Sequence, residues 1–145
     1  MFKIKFLPHT ADAKFRVTGD SLEQAFIGAA KALTKVMTDD VVKPVFKKLI
    51  SVKAKTLEAL LYDFLQELVF LLDVEGFLMS RVESLTINKL AKAEGFVLKA
   101  VVLGDKVTNY EVKDVVKAIT YNDMIVEERF VNGRKLFVVQ VVVDL

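Results

Sequence analysis

Phe2, Ile4 and Phe6 alternate with Lys3 and Lys5, and Ala13, Phe15 and Val17 alternate with Lys14, Arg16 and Thr18. Both stretches carry the two-residue period of half-buried strands, joined by the short polar corner Pro8 to Asp12. At Ser21 the period changes: Leu22, Ala25, Phe26, Ala29, Ala30, Leu33, Val36 and Met37 recur at helical spacing, which predicts a helix ending near Thr38-Asp39-Asp40. Ser21 with Gln24 three residues on fits a capping box, in which side chains satisfy the free amides of the first turn. Val45 to Lys55 reads as strand again, and Thr56 is a candidate N-cap for a second helix over Leu57 to Leu72. Apolar residues cover well over half of that helix, so it is expected to be wrapped by other elements.

The remainder is β-rich. Strands are predicted at Phe77 to Asn88, Leu90 to Leu103 with a bulge at Gly95, Val115 to Val126, and Leu136 to Asp144 after an Asn132-Gly133 hairpin turn. Val138 to Val143 is apolar on both faces, as a central strand requires. The order β-β-α-β-α-β-β-β-β predicts an α+β fold: a single domain over residues 1–145 with one mixed or mostly antiparallel sheet and two helices packed on one face.

Composition narrows the function classes. A chain of 145 residues, 53% of them hydrophobic and 28% charged, supports one ordinary globular core. No apolar run reaches the ~18–20 residues of a membrane span, and the alternating N-terminus lacks the apolar stretch of a signal peptide, so a soluble, cytoplasmic protein is expected. The absence of cysteine excludes disulfides, zinc–thiolate sites, iron–sulfur clusters and thiol nucleophiles. The lone His9 excludes any site needing two histidines. The net charge of +2 is unevenly spread, since residues 1–55 hold 11 basic against 5 acidic side chains. That first third is a candidate basic face for RNA or an acidic partner, while solvated strand and helix faces explain the same lysines.

No glycine-rich phosphate loop precedes a helix, and no serine sits in a nucleophile motif. Asp39-Asp40 and Glu127-Glu128 read as solvated charge. Three positions stand apart. Asp12 lies in the corner between two strands beside His9 and Thr10, Asp144 ends an apolar strand, and Lys117 falls by parity on the row of Val115, Ile119 and Tyr121. Singly, each has a structural reading: a turn aspartate bonding its own backbone, an exposed terminus, a snorkelling lysine. Together, two carboxylates and a terminal carboxylate or carbonyl are hard oxygen donors suited to Ca²⁺ or Mg²⁺.

The stretches Pro8-His9-Thr10-Ala11-Asp12, Ser21 to Phe26, Val36-Met37-Thr38-Asp39, Leu60 to Leu68, Lys117 to Tyr121 and Val142 to Leu145 occur in order across nearly the whole chain. In these motifs the chain resembles the archease family, small accessory proteins of the tRNA-splicing RNA ligase. The resemblance implies a factor with no catalytic centre of its own that promotes guanylylation and multiple turnover of the ligase. A tRNA methyltransferase is implied as a further partner, and tRNA as an indirect one. It also implies a divalent cation, Ca²⁺ or Mg²⁺, held by Asp12, Asp144 and a terminal oxygen of Leu145, with Lys117, His9 and Thr10 as partner-facing residues. The chain departs from the family pattern at Ala13-Lys14, at Phe64 in place of tryptophan, at Asn122 in place of histidine, and in a shorter segment from Gly104 to Glu111. Two other classes stay open at this point: a metal-dependent phosphoester hydrolase built on Asp12, His9 and Asp144, and a chaperone-like or RNA-binding module using the basic first third.

Overall fold

The structure is a computed structural model that describes residues 1–8 and 12–145; His9, Thr10 and Ala11 lie outside the described residues. Its elements run β1 (Phe2–Leu7), β2 (Asp12–Gly19), α1 (Leu22–Met37), β3 (Phe46–Ala54), α2 (Leu57–Glu75), β4 (Phe77–Lys89), β5 (Phe96–Lys106), β6 (Ala118–Val131) and β7 (Arg134–Asp144), with a short 3₁₀ turn at Val107–Asn109. Both predicted helix starts are capped as the sequence implies. Ser21 Oγ accepts the Gln24 amide at 3.1 Å, and Thr56 Oγ1 accepts the Ala59 amide at 3.1 Å. Helix α2 runs to Glu75 before Gly76 ends it, three residues beyond the apolar pattern.

The fold is α+β, and each strand pair is antiparallel. The strands divide between two sheets, one ordered β1-β2-β7-β6 and the other β3-β5-β4, rather than forming the single sheet expected. Alternation marks a segment as strand but carries no information about its neighbour, and here β7 occupies the place between β2 and β6 while β5 takes β3 and β4. Helix α1 packs on β1, β2 and β7 of the first sheet and on β4 of the second, and α2 bridges β6 to the second sheet. The core therefore lies between the sheets, around Phe15, Phe26, Leu33, Leu61 and Phe64. Phe26 and Phe64 stack where the helices meet, ring centroids 6.4 Å apart.

Two boundaries differ instructively. Gly95 does not bulge a strand; it precedes β5 at φ +123°, where a Cβ would stand 2.5 Å from the Ala54 carbonyl oxygen. The register shifts of that hairpin fall in β4 instead, between Met79 and Arg81 and between Val82 and Ser84. The last hairpin closes as predicted, with Asn132 and Gly133 both at positive φ between the paired Val131 and Arg134. Among the described residues no helix is long and apolar enough to cross a membrane.

Candidate metal and partner site

Strand β7 lies between β2 and β6, and its last residue meets the first residue of each. Asp144 pairs with Asp12 on one side and with Ala118 on the other. Ala13, Phe15 and Val17 alternate inward against Val143, Val141 and Val139, so Asp12 and Asp144 share the opposite, outer face. Cβ atoms of directly opposed residues in such a pair lie roughly 4.5–5.5 Å apart. Asp144 is exposed and Asp12 is half-buried. Leu145 packs against the core cluster, which holds the end of β7 in place.

Lys117 joins this corner through its backbone: its amide donates to the Asp144 carbonyl at 2.8 Å. The strand expected from Val115 begins only at Ala118, so the row of Val115, Lys117, Ile119 and Tyr121 does not exist as a buried face. Ile119 is buried, while Val115, Lys117 and Tyr121 are exposed. Lys117 is thus not a lysine confined to an apolar row. It is a solvent-facing cation whose backbone is fastened to the end of β7.

The connection from β5 to β6 delivers Lys117 to this position, and residues that the sequence pattern did not single out fix its path. Asp105, at 6% exposure, accepts the Tyr110 hydroxyl at 2.7 Å and the Lys106 amide at 2.8 Å. The Tyr110 oxygen in turn accepts the Lys43 amide at 2.9 Å. The Tyr110 bond, then the amide bond, hold the Asp105 carboxyl below the ordinary aspartate range, and desolvation first, with that charge beside it, raises the Tyr110 hydroxyl. Further along, buried Thr38 donates to the Glu111 carbonyl at 2.7 Å, Asp40 accepts the Glu111 amide at 2.8 Å, and Asp39 pairs with Lys113 at 2.8 Å. Asp39 and Asp40 are exposed, as expected of solvated charge, but each also clamps the connection to the end of α1. The available signal was a carboxylate closing an apolar strand, followed within five residues by a tyrosine.

Two of the quoted motif stretches meet on the other side of β6. Gln66 Oε1 accepts the Ile119 amide at 3.1 Å, and Tyr62 stacks on Tyr121 with ring centroids 4.4 Å apart. Local desolvation of the hydroxyl first, then the charges of Asp63 and Tyr62, raise the Tyr121 hydroxyl above its usual value, although the residue as a whole is exposed. A cleft of about 560 Å³ opens beside Ala13, lined by Phe6, Lys31, Lys35, Asp39 and Lys113 among others, but its lining does not include Asp12, Lys117 or Asp144.

The donor chemistry suits a hard cation. Opposed carboxylates repel each other, and a divalent ion offsets that repulsion while taking oxygen ligands. Among the described residues no three His, Cys, Asp or Glu side chains gather around one point. Asp12 and Asp144 are two such side chains, and His9 and Thr10 lie outside the described residues.

A model of the archease protein family matches residues 4–145. The chain belongs to the archease family. It is 43% identical to the archease of Pyrococcus abyssi over 83% of this chain and 84% of that one. It is 38% identical to the archease of Pyrococcus furiosus over 94% of each chain. The solution structure of protein 1598 of Methanobacterium thermoautotrophicum shares the fold at a TM-score of 0.77 and 30% identity, covering 98% of each chain. A Thermotoga maritima archease, described as a possible chaperone, has the same fold at a TM-score of 0.60 and 19% identity over 97% of this chain and 96% of that one. The fold is therefore that of archease structures.

Proposed function

We propose that this protein is an accessory factor of the tRNA-splicing RNA ligase, promoting its guanylylation and turnover without a catalytic centre of its own. The observation that carries the reading is the corner where Asp12, Asp144 and the amide of Lys117 meet, on the outer face and accessible to a partner. Asp12, Asp144 and the Leu145 carboxylate would hold Ca²⁺ or Mg²⁺, and Lys117 would reach the partner's nucleotide, with His9 and Thr10 as flanking contacts. A divalent ion there supplies positive charge near a transferring phosphoryl group. Mg²⁺ in particular is commonly held by one or two carboxylates together with substrate phosphates. An incomplete carboxylate set on a docking surface fits that use better than it fits a hydrolase, which needs a base and a positioned nucleophile as well. A tRNA methyltransferase is a further partner on the same reading, with tRNA engaged through either enzyme.

The test is a multiple-turnover RNA ligation assay with limiting ligase, run with this protein, with Asp144→Asn and without either. Wild-type protein is expected to raise turnover and guanylylated ligase several-fold and Asp144→Asn to raise neither. Phosphoester hydrolysis by the purified protein alone would instead favour the hydrolase.

A further inference from the structure

The outer face of the four-stranded sheet carries a second charged surface, distinct in sign from the Asp12–Asp144 corner. Lys3 and Lys5 stand exposed on β1, opposite Thr18 and Arg16 of β2. Lys5 and Arg16 are thus like charges directly across a strand pair, an arrangement that costs stability unless an anion offsets it. Arg16 is built into place. Its Nε and Nη2 donate to the Oε1 of Gln140 at 3.0 and 2.6 Å, and the Gln140 amide nitrogen donates to the Asp123 carbonyl at 2.8 Å. Gln140 is 4% exposed, so the guanidinium rests on a buried neutral acceptor that orients it without cancelling its charge. Both bonds use Nε and Nη2, which leaves the Nη1 donors to a ligand. Lys14, by contrast, is paired with Asp123 at 3.3 Å.

Lysines on an edge strand also serve to prevent pairing with other chains. That role does not reach Arg16, because β2 is flanked by β1 and β7. Nor does the surface have the makeup of a protein interface core, which is built on aromatic and aliphatic anchors. Of the exposed large apolar side chains, Leu49, Phe70, Val74 and Phe130 lie outside this patch; Met1 and Phe6 flank it at the two ends of β1, and Phe6 turns its ring to the inward-facing Phe15. A surface in which cations dominate over apolar anchors matches a partner bound mainly through charge, and a phosphodiester backbone is that partner.

We infer that Lys3, Lys5 and Arg16 form a binding face for the sugar-phosphate backbone of RNA, and that it works in the absence of any ligase. It stands independently of the reading of the Asp12–Asp144 corner, since RNA binding and ligase stimulation are scored on different residues. Three phosphate contacts predict a log–log salt dependence with slope near −2 for a single strand, or about a 20-fold loss of affinity between about 50 and 200 mM salt.

The experiment is fluorescence anisotropy of the full chain with a short labelled poly(U) strand, across that salt range, with polyglutamate as competitor. Lys3→Gln/Lys5→Gln should weaken binding at low salt and reduce the slope to about −0.7, the value for one remaining contact. Arg16→Gln should weaken it further; circular dichroism reports whether that variant folds, and the exposed lysine pair keeps the test decisive if it does not. Lys47→Gln/Lys99→Gln, on the second sheet, should leave affinity and slope near wild type. The inference is overturned by absent poly(U) binding at low salt, by equal losses in both lysine pairs, or by polyglutamate competing as well as RNA. It is also overturned if the Lys3/Lys5 variant merely self-associates while its RNA affinity is unchanged, which would assign these lysines to edge protection.

Discussion

Asp12 and Asp144 stand directly opposite each other across the β2–β7 pair, first residue of one strand against last residue of the other. Like charges so placed destabilise a sheet by roughly 0.2–1 kcal/mol. Asp144→Asn should therefore raise the melting temperature of metal-free protein slightly while abolishing the stabilisation by Ca²⁺ or Mg²⁺. For wild type, a cation bound only by the folded state and present at about 100 times its Kd adds about 2.7 kcal/mol. That is a rise of about 8 °C for a chain of this size. Thermal melts of both proteins with and without cation check it; a full-sized cation shift in Asp144→Asn would place the ion elsewhere.

Lys117→Ala separates a docking role from a structural one. The side chain is exposed and the contact with Asp144 runs through the backbone amide, so the variant should fold and melt within about 1 °C of wild type. Cation affinity should be equal or slightly higher, because a nearby positive charge is removed. Ligase stimulation should be lost. Calorimetry and the turnover assay on one preparation decide it, and undiminished stimulation would remove Lys117 from the mechanism.

Asp105 makes a pH prediction. Hydrogen bonds from Tyr110 and Lys106 hold its folded-state carboxyl below its unfolded value, so it contributes stability that is fully present above that unfolded value, about pH 3.9. The contribution is lost as pH falls through the lower folded-state value. Asp105→Asn should lower the melting temperature at neutral pH, and the gap from wild type should narrow in acid below pH ~3.9. A gap that stays constant or widens in acid would show that the carboxylate charge is not what fastens the β5–β6 connection.

Gly95→Ala should destabilise the second sheet. The new Cβ would collide with the Ala54 carbonyl oxygen and force a positive φ on alanine, a combination that costs about 1–3 kcal/mol. Urea denaturation should show the midpoint falling with the slope unchanged; an unaltered midpoint would mean the turn re-forms freely.

The local features of this fold were legible because they depend on neighbours in sequence. Ser21 and Thr56 cap the predicted helices, and Asn132-Gly133 turns the predicted hairpin. What was hidden depends on distant partners. Period-two alternation reads the same whether β3 joins β2 or β5, so the division into two sheets left no trace in the pattern. Lys117 was placed on an apolar row because parity was carried back past Ala118, where the chain is held by single contacts instead of a ladder. Asp12 and Asp144 drew notice as separate oddities. Donor chemistry and the resemblance to archease linked them in the sequence, but their direct pairing is a matter of strand order.

The order of synthesis gives the central position of β7 a kinetic meaning. Residues 2–19 form a two-stranded ribbon whose next neighbour, β7, begins at Arg134. A two-stranded ribbon is marginally stable alone in water; β2 lacks its second neighbour, and β6 its neighbour in the sheet, until β7 is made. Meanwhile both helices and the whole β3-β5-β4 sheet have already emerged from the ribosome. The first sheet thus waits, with the open edge of β2 unpaired, for the seventh strand to slot between its neighbours. Closure over such a sequence distance is slow, which makes this step the one most exposed to misassembly and the one that brings Asp144 to Asp12.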